Sequence, residues 1–226
     1  MRLLPALVLL LATGAARAET AAFEVRLAGG TLGHMEYETD GPRPSALRTL
    51  LDSTPLGVLD GTWEATSRPA PTEDGADALR FRAVTASSRK ARTITFDHRG
   101  GAVLATGVDP AEDATDLSLP ANVPPGVLDP VQAFGRLMAP GPGCPEPFRL
   151  YDGRRVIEVA TTSSETAEDG ALVCHADYEV IAGPGHLSPF RFRSFALDLT
   201  YRDAGTGPAL AEAAVSAGIF TVRLVR

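Results

Sequence analysis

Phe23-Glu24-Val25-Arg26-Leu27-Ala28-Gly29-Gly30-Thr31-Leu32-Gly33-His34-Met35-Glu36-Tyr37-Glu38 sets a pattern that the rest of the chain repeats. Apolar and polar residues alternate from Phe23 to Leu27, Gly29-Gly30 turns the chain, and a second run follows from Thr31 to Glu38. Side chains of a strand point alternately to opposite faces, so period two means one buried face and one solvated face. The stretch reads as a β-hairpin. Gly41-Pro42-Arg43-Pro44 ends it.

The same pattern returns along the chain. Ser45 to Asp52 fits a helix through Leu47, Leu50 and Leu51, but it also alternates, and a strand is preferred. Thr62 to Thr66 is a short strand with the only tryptophan, Trp63. Arg68 to Ala76 reads as a loop. Leu79 to Val84 and Arg92 to Phe96 alternate, Asp97 to Gly101 turns, and Val103-Leu104 opens another short strand. Asp109 to Pro125, with four acids and four prolines, reads as a long polar surface loop with little prospect of packing.

Asp129 then offers a helix cap and Pro130 suits the first helical position, where its missing N–H costs nothing. Val131, Phe134, Leu137 and Met138 share one face of a helix over 129–138. Pro140 to Gly143 stops it. Phe148 to Tyr151 and Arg154 to Thr161 form a hairpin around Asp152-Gly153. Leu172 to Val180 is a strand. Phe190 to Tyr201 reads as a long strand with a bulge near Phe195, where the apolar phase switches. Ala209 to Val215 and Ile219 to Val225 close the chain as a hairpin.

About a dozen strands, one helix and no βαβ rhythm predict a mainly β fold. The expected architecture is a strongly curved antiparallel sheet or partly open β-barrel with one short α-helix. With 226 residues, 44 % of them apolar, a single exported domain over 19–226 is enough to bury a core.

Met1-Arg2, the apolar run Leu3 to Leu11 and the small-residue end Ala16-Arg17-Ala18 predict a secretory signal peptide over 1–18, cut after Ala18. The run is far too short to span a bilayer, which takes about 20 residues. The expected location is the periplasm or the outside of the cell. Losing 1–18 removes Arg2 and Arg17 and no acid, taking the net charge from −7 to −9. Such a balance argues against nucleic-acid partners, which need clustered Lys and Arg. Lys90 is the sole lysine. In an oxidising compartment the two cysteines, Cys144 and Cys174, are expected to pair. The alternative is a reactive or metal-binding thiol pair, but the spacing is not that of Cys-x-x-Cys chemistry.

Pro147-Phe148-Arg149-Leu150-Tyr151-Asp152-Gly153-Arg154-Arg155 resembles the motif of a bacterial exported family, domain of unknown function 3108. Supporting features are the glycine-broken hairpin at Gly29-Gly30 and Gly33, the helix opening at Asp129-Pro130, the positions of Cys144 and Cys174, and Tyr178-Glu179-Val180-Ile181-Ala182-Gly183. The long Asp109–Pro125 loop departs from the family pattern. The resemblance implies an exported β-sheet protein of the envelope and carries no activity.

Asp152, Arg154 and Arg155 are the most distinctive candidate site residues, because paired arginines present bidentate forks to carboxylate or phosphate. The competing reading is plain hairpin geometry, with arginine heads in solvent. Arg191 and Arg193, alternating with Phe190 and Phe192, are candidates for the same face. His34, His98, His175 and His186 are scattered, with no metal-ligand spacing. No nucleophile elbow, dinucleotide fingerprint or phosphate loop is present, so no catalytic residue, metal or cofactor is expected. The leading expectation is a non-enzymatic binding or assembly protein whose curled sheet holds a lipid or an envelope glycoconjugate. The alternatives are a protein-interaction or structural envelope module and a hydrolase with an unrecognised site.

Overall fold

In the computed structural model the described residues are 18–54, 60–71, 77–88, 90–139, 141–186, 191–205 and 207–226. The predicted signal peptide lies, but for Ala18, outside them. The strands are β1 (Glu19–Leu27), β2 (Gly30–Asp40), β3 (Arg43–Leu51), β4 (Gly61–Ala70), β5 (Ala78–Ser87), β6 (Ala91–Arg99), β7 (Ala102–Asp109) and β8 (Val127–Leu128). After helix α1 (Pro130–Met138) come β9 (Phe148–Tyr151), β10 (Val156–Thr166), β11 (Leu172–Ala182), β12 (Ser194–Asp203), β13 (Pro208–Ala217) and β14 (Phe220–Val225).

All fourteen strands form one sheet, in the order β7-β6-β5-β4-β3-β2-β1-β14-β13-β12-β11-β10-β9-β8. The two terminal strands meet at its centre, with Glu24 opposite Val225 and Leu27 opposite Val222. Each half of the chain then meanders outward from that pair. The short β8 runs parallel to β9, the one departure from antiparallel order among the described strands.

Alternation sets the burial. Ala21, Phe23 and Val25 of β1 point inward, and Met35 and Tyr37 of β2 join them. The outer face carries cross-strand ion pairs such as Arg80–Asp97 and Arg48–Glu38. Pairs this exposed contribute about 0–1 kcal/mol each. The first hairpin is offset by a register shift at Val25/Arg26, opposite Gly33. Only glycine serves there: its φ is +156° and a Cβ would sit 1.9 Å from the Leu50 carbonyl oxygen.

Helix α1 lies against the concave face, on β3, β4, β9 and β13. Its first turn is held as the sequence predicts. Asp129 Oδ1 accepts from the amides of Val131 and Gln132, both at 2.9 Å. Its second oxygen does more than the cap requires. Oδ2 accepts from Ser67 Oγ at 2.6 Å and bonds His98 Nε2 at 2.9 Å. Asp129 is fully buried, so this anchor ties the helix start to β4 and β6. Farther on, Phe134 packs on Phe23 and Tyr37, with ring centroids 6.0 and 5.4 Å apart.

The sheet edges β7 and β8 come together where the Gly101 carbonyl accepts from the amides of Gly126 and Val127. The segment between those edges corrects a sequence expectation. Asp109–Pro125 is not a loose polar loop. It contains three 3-10 turns, at Ala111–Asp113, Asp116–Ser118 and Pro120–Asn122, and Leu117 is buried. Thr115 Oγ1 donates to the Arg154 carbonyl, Ser118 Oγ donates to the Gly153 carbonyl, and Tyr151 Oη donates to the Leu117 carbonyl at 2.6 Å. The segment straps the open seam of the barrel. Its Thr115 and Ser118 hydroxyls satisfy carbonyls of the turn between β9 and β10.

The Cys144–Cys174 disulfide is present and fastens the chain after α1 to β11. No helix among the described residues is long and apolar enough to cross a membrane.

Candidate ligand-binding interior

The inner face leaves a cavity of about 450 Å³ beneath α1. Met35, Leu47, Val159, Leu197, Leu199 and Val215 line its walls, and Ala133, Phe134 and Leu137 of the helix roof it. These residues come from strands on both sides of the β1–β14 pair. The surface they offer is almost wholly apolar. The cavity is partly open to solvent rather than sealed.

A second cavity of about 290 Å³ adjoins the first. The two share Pro130, Leu150, Tyr178 and His186 as lining residues. The annex differs in chemistry, for Arg92, Asp152 and Arg155 open onto it beside Trp63 and Phe81. The interior is therefore amphipathic, with an apolar chamber and a charged end.

The charged end is built by the turn after β9. Asp152 Oδ1 accepts from the amides of Arg154 and Arg155, at 3.0 and 2.9 Å, and this fixes the turn. Gly153 has φ +92°, and a Cβ there would lie 2.2 Å from Ile94 Cγ2. Strand β10 begins only at Val156, so Arg154 and Arg155 belong to the turn and not to a strand with solvated heads. Arg155 is buried, at 8 % exposure. Its Nε is 3.0 Å from Asp152 Oδ2, but the alignment is not that of a hydrogen bond. Arg154 turns the other way, and its Nε donates to the Asp113 carbonyl in the strap.

Arg155 Nη1 donates to His186 Nδ1 at 2.6 Å. A guanidinium has no acceptor, so Nδ1 holds a lone pair and the ring proton sits on Nε2. Nε2 then donates to Tyr178 Oη at 2.9 Å. Burial, reinforced by the Arg155 charge, pushes the His186 pKa down to about 3 and keeps the ring neutral. Burial pushes the Tyr178 phenol well above its usual range and keeps its proton in place. Beyond Arg155, Arg92 Nε donates to Asp113 at 2.6 Å and Lys90 to the same carboxylate at 2.8 Å. Those bonds, the Arg92 bond foremost, hold the Asp113 carboxyl far below the ordinary range.

The structure divides the sequence candidates. Asp152 and Arg155 line the annex, whereas Arg154 braces the strap. Arg191 and Arg193 stand apart from them. Strand β12 starts at Ser194, later than the run of phenylalanines and arginines suggests. Phe190 lies outside the described residues. Arg191 is exposed with φ 52°. Arg193 is exposed too, and its guanidinium donates to the Gly183 and Val180 carbonyls. The irregularity of β12 against β13 falls at Thr200/Tyr201, not near Phe195.

Tyr178, His186 and Arg92 are site residues that sequence reasoning passed over. Tyr178 had a usable signal, since it shares parity with the buried Cys174, Ala176 and Val180 on β11. His186 had none, because it arrives from a loop that bridges Phe192.

The chain also gathers Ser67, Asp129 and His98 at the helix start. This is not a nucleophile triad. The carboxylate stands between serine and histidine, so the imidazole has no contact with the hydroxyl it would need to deprotonate. No cluster of three or more metal-ligating side chains occurs among the described residues.

No protein-family model matches this chain. No curated protein matches it either. A similar solved structure is the crystal structure of a beta-barrel-like protein of domain of unknown function DUF1849 from Brucella abortus. It is 13 % identical, with a TM-score of 0.48, over 91 % of this chain and 94 % of that one.

Proposed function

We propose that this protein is a non-enzymatic binding protein of the bacterial envelope, exported by its N-terminal leader, that carries an amphipathic lipid-like molecule inside its curled sheet. One observation carries the reading: the apolar chamber of about 450 Å³ with a charged annex at one end. The chamber falls within the range of small-molecule sites, about 300–1,000 Å³, and shares their make-up of apolar walls with a few convergent polar groups. A purely structural module gains nothing from such a space, which forfeits dispersion contacts. The Cys144–Cys174 bond suits an oxidising compartment. The resemblance of Pro147–Arg155 to domain of unknown function 3108 belongs to the same reading, since it implies an exported envelope protein.

The test is native mass spectrometry of the mature protein purified from the periplasm, with organic extraction of the same sample. A co-purifying lipid or glycolipid, released on extraction and absent from the blank, is expected. Bare protein that also fails to bind the neutral apolar fluorophore N-phenyl-1-naphthylamine would overturn the proposal.

A further inference from the structure

The charged annex is not a neutral lining. Three cations, Lys90, Arg92 and Arg155, stand against two carboxylates, Asp113 and Asp152, and Arg154 adds a fourth positive charge whose Nε donates to the Asp113 backbone carbonyl. His186 adds no charge, being neutral. A chain with a formal charge of −7 thus holds a local positive excess where its apolar chamber ends. Buried charges are normally matched, because an unmatched one pays a large desolvation cost.

Two donors at the junction remain to be used. Arg155 Nε is buried and, although it lies 3.0 Å from Asp152 Oδ2 as an ion pair, it is not aligned to donate a hydrogen bond to it. Tyr178 Oη accepts from His186, so its own proton is left for another acceptor. Both residues line the annex, and Tyr178 lines the chamber as well. Arginine is the side chain best shaped for a planar two-oxygen anion.

Building on the proposed binding function, we infer that the ligand is a single-chain carboxylate amphiphile, a fatty-acid-like molecule. Its tail fills the chamber and its carboxylate meets Arg155 and the Tyr178 hydroxyl. The Asp152 carboxylate beside Arg155 disfavours a dianionic phosphate head, since like charges in a partly buried site repel. A monoanion is the head that the donors and this neighbour accept together.

The test compares three ligands with one twelve-carbon tail: dodecanoate, 1-dodecanol and dodecyl phosphate. Each displaces N-phenyl-1-naphthylamine from the mature protein at neutral pH. Dodecanoate is expected to bind at least about ten-fold tighter than the alcohol. Arg155→Met should weaken dodecanoate by a similar factor and leave the alcohol unchanged, while Arg155→Lys should retain part of the preference. Equal affinities for acid and alcohol in the unaltered protein would overturn the head-group assignment and leave the cavity reading standing. A preference for dodecyl phosphate would overturn the carboxylate. Failure of the fluorophore itself to bind would remove the proposed function beneath both. The comparison on unaltered protein stands even where a variant folds poorly.

Discussion

His186 shows how one side chain couples the site to acid stability. Its ring is neutral when folded because it is buried and faces the Arg155 guanidinium. The unfolded chain protonates it near 6.5, whereas the folded protein resists until about 3. Unfolding therefore takes up a proton between those values, and stability falls as the pH drops through that window. His186→Asn should flatten this part of the pH profile, which urea unfolding at about pH 4.5 and about pH 7 would reveal. An unchanged slope would mean that the ring is already charged in the folded state. Gly153 makes a second residue-scale case. Gly153→Ala places a side chain at positive φ and against Ile94. We expect a loss of about 1–3 kcal/mol by denaturant unfolding, with the annex distorted as well. Both effects were hidden from sequence reading. The Asp152-Gly153 turn was legible, but which side of it Arg155 would face was not.

At the scale of elements, α1 depends on one carboxylate with four partners. Asp129→Ala removes the cap, worth about 1 kcal/mol, and strands Ser67 and His98 in the core, at about 1–3 kcal/mol each. A total loss of about 3–5 kcal/mol is expected, read from the shift in urea midpoint at constant slope. A loss no larger than that of a simple cap would show that Ser67 and His98 find other partners. The helix itself, from Pro130 to Met138, could be read from its cap, its proline and its apolar face. The strap from 109 to 125 could not. Its acids and prolines describe a segment without regular structure, yet its packing rests on backbone carbonyls of the Asp152–Arg155 turn. Composition carries no record of such partners.

For the whole molecule, closure of the barrel and the interior space are the deciding features. The Cys144–Cys174 bond closes a loop with a separation of 30 residues. Removing it by Cys144→Ser with Cys174→Ser should cost about 3–4 kcal/mol in the chain-entropy picture. Thermal unfolding with and without reductant would check this, and identical curves would contradict it. Filling the chamber tests function separately from stability. Ala213 is buried on the inner face and lines the cavity. Ala213→Trp should abolish fluorophore binding while the protein keeps a cooperative transition, because the new ring enters empty space. Retained binding would place the ligand elsewhere.

Alternation along the chain determined by itself that this protein is a curled antiparallel sheet with one short helix. Residue type foretold the cap at Asp129 and, with the predicted export, the pairing of Cys144 with Cys174. These are local properties: period two sorts side chains to two faces wherever the strand lies. Tertiary structure alone decided that β1 and β14 meet at the centre of the sheet, that the strap seals its edges, and that Arg155, His186 and Tyr178 form one cluster. Each of those contacts joins residues far apart in the chain or reverses a side chain's exposure across a turn. Register and closure are set by the sum of all strand pairings and by the shape of the space they enclose, and no single stretch encodes that sum.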